Sequence, residues 1–391
     1  MHKLLLPFRQ KGTLNTVFLC TVFLSFHYFL IIYVNSSFLS QFFTETQVSG
    51  LYIISSIIGV FALLNASKIL EKTGGYKFAV FASTIEFLSV LGMVVAEQPF
   101  LIGIYFLLHS LAISLIMFNL DLFVESLMTN ENHTGTIRAA YITIASVVII
   151  VASSLVSIIL LTDNYTYVYL VSVIFMVPFH YYLKKLKKIK TKPIKHIKLK
   201  ETFGHYLANP DLHNVFISNF ILQFFYAFMI VYTPIYLTKY IGFAWSEVGI
   251  MFTIMLLPFV LFEIPVGEAE DEKYGEKEFL TLGLVIMGMA TLFMSFITAN
   301  SFWIWATILF ISRIGASFVE VSAESYFFKH VDQEKTDVIS FFRVTRPLSF
   351  IAAPILFTIA LQFIPFQYLF LIVGALIIVG TRYSLALNDT K

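Results

Sequence analysis

Long apolar segments alternate with short polar segments along almost the whole chain. A hydrocarbon core of about 30 Å needs about 20 helical residues to cross it, and each apolar segment approaches or exceeds that length. Runs of this length favour helices over the shorter, alternating strands of a closed barrel. The pattern therefore predicts an all-α membrane protein with twelve transmembrane helices. Spans 1 to 12 are predicted at 15–36, 48–69, 77–96, 100–123, 137–161, 165–183, 213–237, 246–266, 279–298, 301–327, 338–362 and 365–387.

Composition narrows the class of protein further. Hydrophobic residues make up 58% of the chain and charged residues 13%, which excludes an ordinary globular chain and a disordered one. No glycine-rich phosphate loop followed by Lys and Ser or Thr is found, and the nine histidines lack the spacing of metal ligands. Cys20 is the single cysteine. We therefore expect no catalytic residues, no metal site, no cofactor and no nucleic-acid partner.

Basic residues mark one side of the membrane. They collect at the N-terminus, in alternate gaps between spans, and at the C-terminus, with nine lysines between Lys184 and Lys200. The opposite side has only Lys239. Because Lys and Arg are enriched in cytoplasmic loops, both termini are predicted to be cytoplasmic. We expect a multi-pass protein of the cell (plasma or inner) membrane, in contact with the lipid bilayer.

One long basic linker divides the spans into two sets of six. The predicted organisation is an N-terminal six-helix bundle (1–183), a linker (184–212) and a C-terminal six-helix bundle (213–391). The motif from Asp121 to Ser126 ends span 4 and has its counterpart from Glu320 to Ser325 in span 10, an offset of 199 residues. The motif ending at Gly74 has its counterpart ending at Gly275, an offset of 201. These offsets indicate a duplicated six-helix unit, an arrangement with which many transporters build a midplane site.

Together, the twelve spans, the six-plus-six division, the basic central loop and a Gly-x-x-x-Asp-Arg-x-Gly-like element resemble the major facilitator superfamily over the whole chain. The better copy of the element follows span 8 and contains Gly267, Asp271, Lys273, Gly275 and Lys277, with one extra residue before the second glycine. The copy after span 2 is degenerate, with Ser67 in place of the first glycine and Glu71 in place of the aspartate. The resemblance implies two pseudo-symmetric bundles and a monomer that transports a small-molecule substrate by alternating access.

In that family, the loops that carry the element pack across the interface between the halves when the cytoplasmic side is closed. The resemblance implies that Glu71 approaches the start of span 11 and that Asp271 approaches the start of span 5, where helix dipoles and cations favour a carboxylate. The alternative is that these charged side chains are exposed to water and only determine the orientation of the chain in the membrane. The predicted gating and latch residues are Glu71, Gly74, Asp271, Gly275, Arg138, Arg343, Arg346, Asp121, Glu125, Glu320 and Glu324.

Spans 1, 4, 7 and 10 line the central cavity in the family, and each of them carries polar residues at helical spacing here. In span 10, Arg313, Ser317 and Glu320 share one face with Glu324. Polar side chains are costly in hydrocarbon and therefore face the bundle interior or water. The predicted substrate-binding residues are Arg313, Tyr28, Ser25, Ser114, Gln223, Tyr226 and Asn219.

Arg313 is the most informative of these residues. It lies about 18 Å from the outer end of its span at 1.5 Å per residue. Its guanidinium group stays charged and offers forked donors that suit a carboxylate or phosphate. The alternative is a structural ion pair with Glu320 or with a carboxylate on a neighbouring helix.

Three further side chains are candidates for proton coupling. Glu86 lies in the middle of span 3, and His27 and His109 lie at useful depth in spans 1 and 4, so protons are a possible second partner. The alternative for Glu86 is a hydrogen bond to Ser55 or Ser56 in a peripheral support. For the histidines the alternative is a structural role in the interior.

Three classes of function remain. The first is a secondary or facilitative transporter. The second is a membrane-embedded enzyme, for which we find no nucleophile elbow and no zinc motif. The third is a non-transporting sensor or scaffold on a transporter fold, which fold alone does not exclude. The four polar stripes favour the transporter, because a scaffold has no need of them.

Overall fold

The structure is a computed structural model, and its described part is helical throughout. It describes residues 12–127, 134–162, 164–189, 204, 208–270, 274–330, 342 and 344–388. The long helices are α1 (Thr13–Ile31), α2 (Glu45–Thr73), α3 (Gly75–Val95), α4 (Pro99–Leu127), α5 (Thr134–Ile159), α6 (Tyr165–Lys185), α7 (Pro210–Ile235), α8 (Trp245–Ala269), α9 (Glu276–Met294), α10 (Phe302–His330), α11 (Thr345–Ala360) and α12 (Tyr368–Leu385). Short helical segments are Asn35–Leu39, Leu160–Thr162 and Tyr236–Ile241.

These helices correspond one to one with the twelve predicted spans. Eleven helices of the described chain are long and apolar enough to cross a membrane, and α11 is a shorter apolar helix of 16 residues. The first part of predicted span 11, residues 338–341 and 343, lies outside the described residues. The prediction of an all-α membrane protein is confirmed.

Polar side chains set several helix starts. Thr44 and Gln47 form a capping box before α2, in which each side chain accepts a hydrogen bond from the backbone N–H of the other. The Asn164 side chain accepts a hydrogen bond from the backbone N–H of Thr166 at the start of α6. Asn209 caps α7 in the same way, and Pro210 is the first residue of that helix. These contacts satisfy donors that would otherwise be left without partners at the ends of apolar helices.

The chain divides into two compact units, Met1–Ile194 and Lys195–Lys391. In the first unit, α1 packs against α4, α5 and α6, α3 packs against α4 and α6, and α2 packs against α4. In the second unit, α7 packs against α10, α11 and α12, α9 packs against α10 and α12, and α8 packs against α10. Each of these pairings of the first unit therefore has its counterpart six helices later, as expected for a duplicated six-helix unit.

Glycine permits the turn between the second and third helix of each unit. Gly74 separates α2 from α3 with φ 76°, and Gly275 precedes α9 with φ 78°. Side-chain-bearing residues rarely adopt this backbone conformation. The two glycines are the positions that the sequence offset of 201 residues pairs, so the repeat extends to backbone geometry.

In the second unit, small residues let helices approach at backbone distance. A Cβ atom added to Gly315 of α10 would lie 2.4 Å from the Met287 nitrogen, and one added to Gly374 of α12 would lie 2.6 Å from the Leu292 nitrogen. Both neighbours are on α9. Close approach of this kind is a main source of helix association in a bilayer, where lipid removes most of the hydrophobic driving force. It positions α10, which carries the candidate site of this unit.

Candidate functional site

The second unit holds a buried cation between aromatic rings. Arg313 of α10 is 1% exposed, and its guanidinium carbon lies 4.8 Å from the ring centroid of Phe225 and 5.2 Å from that of Tyr226. Both rings belong to α7. Such contacts stabilise a desolvated cation without using its hydrogen-bond donors. In the described part of the chain, Nε and Nη1 of Arg313 have no hydrogen-bond partner and no carboxylate forms an ion pair with it.

A glutamate lies on the same helix face as Arg313. The hydroxyl of Tyr226 donates a hydrogen bond of 2.6 Å to Oε2 of Glu320, which lies two turns, or about 10 Å, along α10 from Arg313. Glu320 also interacts electrostatically with Arg313, Arg346 of α11 and Glu324. The structural ion pair weighed for Arg313 is therefore not found among the described residues. Glu320 and Tyr226 connect α10 to α7 beside the unsatisfied guanidinium group.

Glu263 of α8 is a member of this site that the sequence analysis missed. Its side chain is half-buried and interacts electrostatically with Glu320 and Tyr226. Span 8 is not among the spans examined for polar stripes, so this glutamate received no role. A lone carboxylate inside an apolar run is nevertheless the signal that singled out Glu86, and it would have identified Glu263.

The other predicted substrate residues have different surroundings. Asn219 donates through Nδ2 to the Thr345 hydroxyl at 2.9 Å and so ties α7 to α11, and Gln223 is half-buried one turn before Tyr226. In the first unit, the Ser114 hydroxyl donates to the carbonyl of Ser110 at 2.8 Å.

The two remaining substrate candidates of the first unit lie on α1. Ser25 is buried, and Tyr28 is partly buried against the core of its unit. The role of these residues in substrate binding stays a prediction.

The first unit holds a fully buried cluster made of the three proton-coupling candidates. Oε1 of Glu86 lies 2.7 Å from Nε2 of His27 and 2.7 Å from Nδ1 of His109. The three side chains are 0%, 0% and 2% exposed. They come from α3, α1 and α4, and their proximity depends on how these helices pack against one another and against α6.

Two groups of polar partners surround the cluster. Nδ1 of His27 lies 3.0 Å from the carbonyl oxygen of Ser172 and 2.8 Å from its hydroxyl oxygen. Nε2 of His109 lies 3.5 Å from Nδ2 of Asn35, whose Oδ1 accepts a hydrogen bond of 2.7 Å from the hydroxyl of Tyr169.

The alternative of a hydrogen bond from Ser55 or Ser56 to Glu86 is wrong. The hydroxyl of Ser55 donates to the carbonyl of Tyr52 within α2, and Oε1 of Glu86 meets the two histidines. A serine in an apolar helix can satisfy its hydroxyl on its own backbone, so Ser55 does not need the carboxyl group as a partner.

The predicted latch falls largely on residues that the structure does not describe. Asp271 and Arg343 lie outside the described residues, as do the side chains of Glu71, Glu125 and Arg138. Of the remaining predicted gating residues, Asp121 and Arg346 are exposed, Glu320 and Glu324 are half-buried, and Gly74 and Gly275 form the tight turns described above. The latch contacts stay a prediction. Among the described residues, no group of three His, Cys, Asp or Glu side chains is arranged to hold a metal ion.

Comparison with known proteins gives a family match for the second unit. The family model described as Major Facilitator Superfamily matches residues 215–387. This match lies within the second compact unit and covers less than half of the chain, so it shows that this unit is similar in sequence to the superfamily. A search of curated protein sequences finds no significant match.

Solved structures of other proteins are similar to this chain over nearly its whole length. A structure titled "Crystal structure of nucleoside transporter NupG" has a TM-score of 0.76 at 13% identity, covering 96% of this chain and 98% of its own. A structure titled "Crystal structure of auto inhibited POT family peptide transporter" has a TM-score of 0.75 at 12% identity, covering 97% and 98%. At this level of identity, the two structures show that the chain shares their fold.

Proposed function

We propose that this protein is a transporter of the major facilitator superfamily, secondary or facilitative, that moves a small organic solute by alternating access, with an acidic group of the solute bound at Arg313. The observation that carries the proposal is a buried guanidinium group with two donor nitrogens that have no partner in the described part of the chain. Leaving such donors unsatisfied costs free energy. A carboxylate or phosphate matches the forked geometry of the group and would satisfy them.

The surroundings of Arg313 support a solute of limited size with mixed character. Phe225 and Tyr226 offer ring faces beside the cation, while Glu320 and Glu263 provide acceptors on the same side of the unit. An organic acid that also carries an amino or hydroxyl group would use both kinds of partner. Amino acids and related zwitterions are therefore the first class to test, followed by simple carboxylates and organic phosphates.

Orientation and coupling are further parts of the proposal. The distribution of Lys and Arg supports a cell-membrane protein with both termini in the cytoplasm. The buried cluster of Glu86, His27 and His109 supports coupling of solute movement to protons. The latch of Glu71 and Asp271 would then gate the cytoplasmic side, and we expect one chain to suffice.

A ligand panel read by thermal shift tests the binding role of Arg313. Purified wild-type protein is compared with Arg313→Gln, Arg313→Lys and the control Arg382→Gln, which changes an exposed arginine of the same unit. Each acid in the panel is paired with its uncharged amide. Because a ligand that binds only the folded state raises the Tm, we expect acids and not amides to stabilise the wild type.

The variants and flux measurements then decide the proposal. Loss of a hydrogen bond to a charged group costs about 1.5–3 kcal/mol, so Arg313→Gln should weaken binding by about 10- to 100-fold. Arg313→Lys should be intermediate because it keeps the charge and loses the fork. Flux of the best ligand in proteoliposomes should fall in the same order, with Arg382→Gln unchanged. Equal affinity and flux in wild type and Arg313→Gln for every acid would overturn the binding role.

A further inference from the structure

Six polar side chains form one hydrogen-bonded network inside the first unit. The network runs from Ser172 through His27, Glu86 and His109 to Asn35 and Tyr169, with every member buried. Each nitrogen and oxygen in such a network must act as donor or acceptor in a way that its neighbour can match. The positions of the hydrogens can therefore be worked out from the two ends towards the centre.

At one end, Asn35 determines the state of His109. The hydroxyl of Tyr169 donates to Oδ1 of Asn35 at 2.7 Å, which leaves the Nδ2 donor of Asn35 facing Nε2 of His109 at 3.5 Å. A nitrogen that faces a donor must accept, so Nε2 carries no hydrogen. Nδ1 of His109 then carries the hydrogen of a neutral ring and donates it to Oε1 of Glu86.

At the other end, Ser172 determines one nitrogen of His27. The Ser172 carbonyl oxygen can only accept, and its hydroxyl already donates to the backbone oxygen of His27 at 2.8 Å. Nδ1 of His27 faces both oxygens and must therefore carry a hydrogen. This assignment holds for the neutral ring and for the imidazolium cation, because the two states then differ only at Nε2.

The centre of the network requires one more proton. Nε2 of His27 and Oε1 of Glu86 lie 2.7 Å apart, and without a hydrogen between them two lone pairs would face each other. The proton lies either on the nitrogen, giving imidazolium and carboxylate, or on the oxygen, giving imidazole and carboxylic acid. The cluster has a net charge of zero with this proton and −1 without it. Removing the proton would leave an uncompensated charge in a fully buried site, which is costly.

The remaining neighbours do not supply a compensating charge. Titratable side chains on the surrounding helices are Tyr52 of α2, Tyr165 and Tyr169 of α6, and His180, whose ring contacts Phe87 beside Glu86. In the described part of the chain, the ion pairs of Glu86 are those with His27 and His109, and its Oε2 has no hydrogen-bond partner. The charge of the cluster is therefore controlled by the proton at its centre.

We propose that Glu86, His27 and His109 form a proton-binding site that holds one exchangeable proton between His27 Nε2 and Glu86 Oε1. On release, the N–H···O or O–H···N bond is lost and the proton passes to water, leaving two neutral rings and a carboxylate. On uptake, a proton from water restores that bond and neutralises the carboxylate. That this exchange is coupled to solute movement rests on the proposed function. The existence of the site does not.

The test is a pH-difference infrared measurement on the full chain in lipid, without any solute. Wild type is compared with Glu86→Gln and with the control Glu97→Gln, an exposed acid that follows α3 in the same unit. We expect a pH step to change carboxyl and imidazole bands together in wild type and in Glu97→Gln. The contribution of the cluster to both bands should be lost in Glu86→Gln, and it should therefore appear in the difference between wild type and this variant, because a neutral amide takes up no proton and His27 can then satisfy it as a neutral ring.

A second measurement needs no variant of Glu86 and is made on histidine-labelled wild type by ¹⁵N NMR. His109 should carry its hydrogen on Nδ1, and His27 should keep its Nδ1 hydrogen while the hydrogen bond at its Nε2 is made and lost with the proposed proton. A His27 signal that stays unchanged over the whole range in which the protein is folded would overturn the site, as would infrared difference spectra that are identical in wild type and Glu86→Gln. Neither readout involves transport, so this proposal and the role of Arg313 can fail separately.

Discussion

At the scale of single residues, the two units differ in whether a buried charged side chain has hydrogen-bond partners. Oε1 of Glu86 lies within hydrogen-bond distance of two histidines, and His27 can share a neutralising proton with it, whereas Arg313 keeps two donor nitrogens without a partner among the described residues. A buried ion without full hydrogen bonding lowers stability compared with an apolar residue of similar size. Residues that cost stability in this way are typical of binding sites.

Replacing Arg313 by methionine should therefore separate stability from binding. We expect Arg313→Met to keep or raise the Tm of the solute-free protein, because an apolar side chain avoids the desolvation cost and still packs on Phe225 and Tyr226. The increase in Tm on adding an acidic ligand should disappear. Differential scanning fluorimetry with and without ligand measures both quantities. A lower solute-free Tm with full ligand stabilisation would contradict this prediction.

Removing the hydroxyl of Tyr226 should cost stability. Tyr226→Phe leaves Oε2 of the half-buried Glu320 without its donor, and loss of a hydrogen bond to a partly buried acceptor costs about 1 kcal/mol. We expect a lower Tm for this variant than for the control Tyr181→Phe, which changes an exposed tyrosine of the first unit. An equal Tm for the two variants would mean that Glu320 finds another donor.

Helical spacing predicted part of these sites and could not predict the rest. Periodicity places Arg313 and Glu320 on one face of one helix, and in the structure both side chains lie beside Tyr226. Glu86, His27 and His109 were named only for their depth, since their contact depends on how three helices pack. For the same reason, periodicity gave no information on whether Glu86 would meet Ser55 or the histidines. Glu263 was missed because span 8 was not searched for a lone carboxylate.

At the scale of helices, hydropathy predicted every span and was weakest at the ends. Span 1 was predicted to reach residue 36, but α1 ends at Ile31 and is followed by a turn and the short helix Asn35–Leu39. An apolar turn has the same hydropathy as an apolar helix, so the sequence pattern does not distinguish them. The turn matters because it brings Asn35 to His109 and Tyr169.

The glycine turns should be sensitive to a single methyl group. Gly74→Ala places a side chain in a conformation that costs of order 1–3 kcal/mol, although open space surrounds it. In the control Gly50→Ala, within α2 and with open space around the Cβ, alanine should instead stabilise the helix by about 0.5–1 kcal/mol. Opposite changes in Tm are the expected result. A Tm loss of the same size in both variants would contradict the role of backbone conformation.

Close helix packing in the second unit should be sensitive for a different reason. Gly315→Ala forces α10 away from the backbone of α9, and overpacking of this kind costs about 1–3 kcal/mol or more. We expect a larger loss of Tm than for Gly267→Ala, where the nearest atom would be 3.7 Å from the new Cβ. Because α10 carries Arg313, affinity for the acidic ligand should also fall. Unchanged Tm and affinity would show that α9 and α10 can separate without consequence.

At the scale of the whole molecule, each six-helix unit contributes one kind of chemistry. The first unit holds the proposed proton site and the second holds the proposed site for an acidic group, although both share the same helix pairings. The repeat therefore explains the scaffold, and the differences between the repeats explain the sites. If transport uses both sites, a variant whose proton site is permanently neutral should still bind the solute. Its solute movement should no longer be coupled to protons.

Flux in proteoliposomes tests this division of labour most directly, using the acid that best stabilises the purified protein. Two rates are measured for wild type, Glu86→Gln and the control Glu97→Gln. One is accumulation driven by a pH gradient, and the other is exchange of labelled for unlabelled solute without a gradient. We predict that Glu86→Gln abolishes gradient-driven accumulation and retains exchange, while Glu97→Gln behaves as wild type. Gradient-driven accumulation by Glu86→Gln at the wild-type rate would contradict the account.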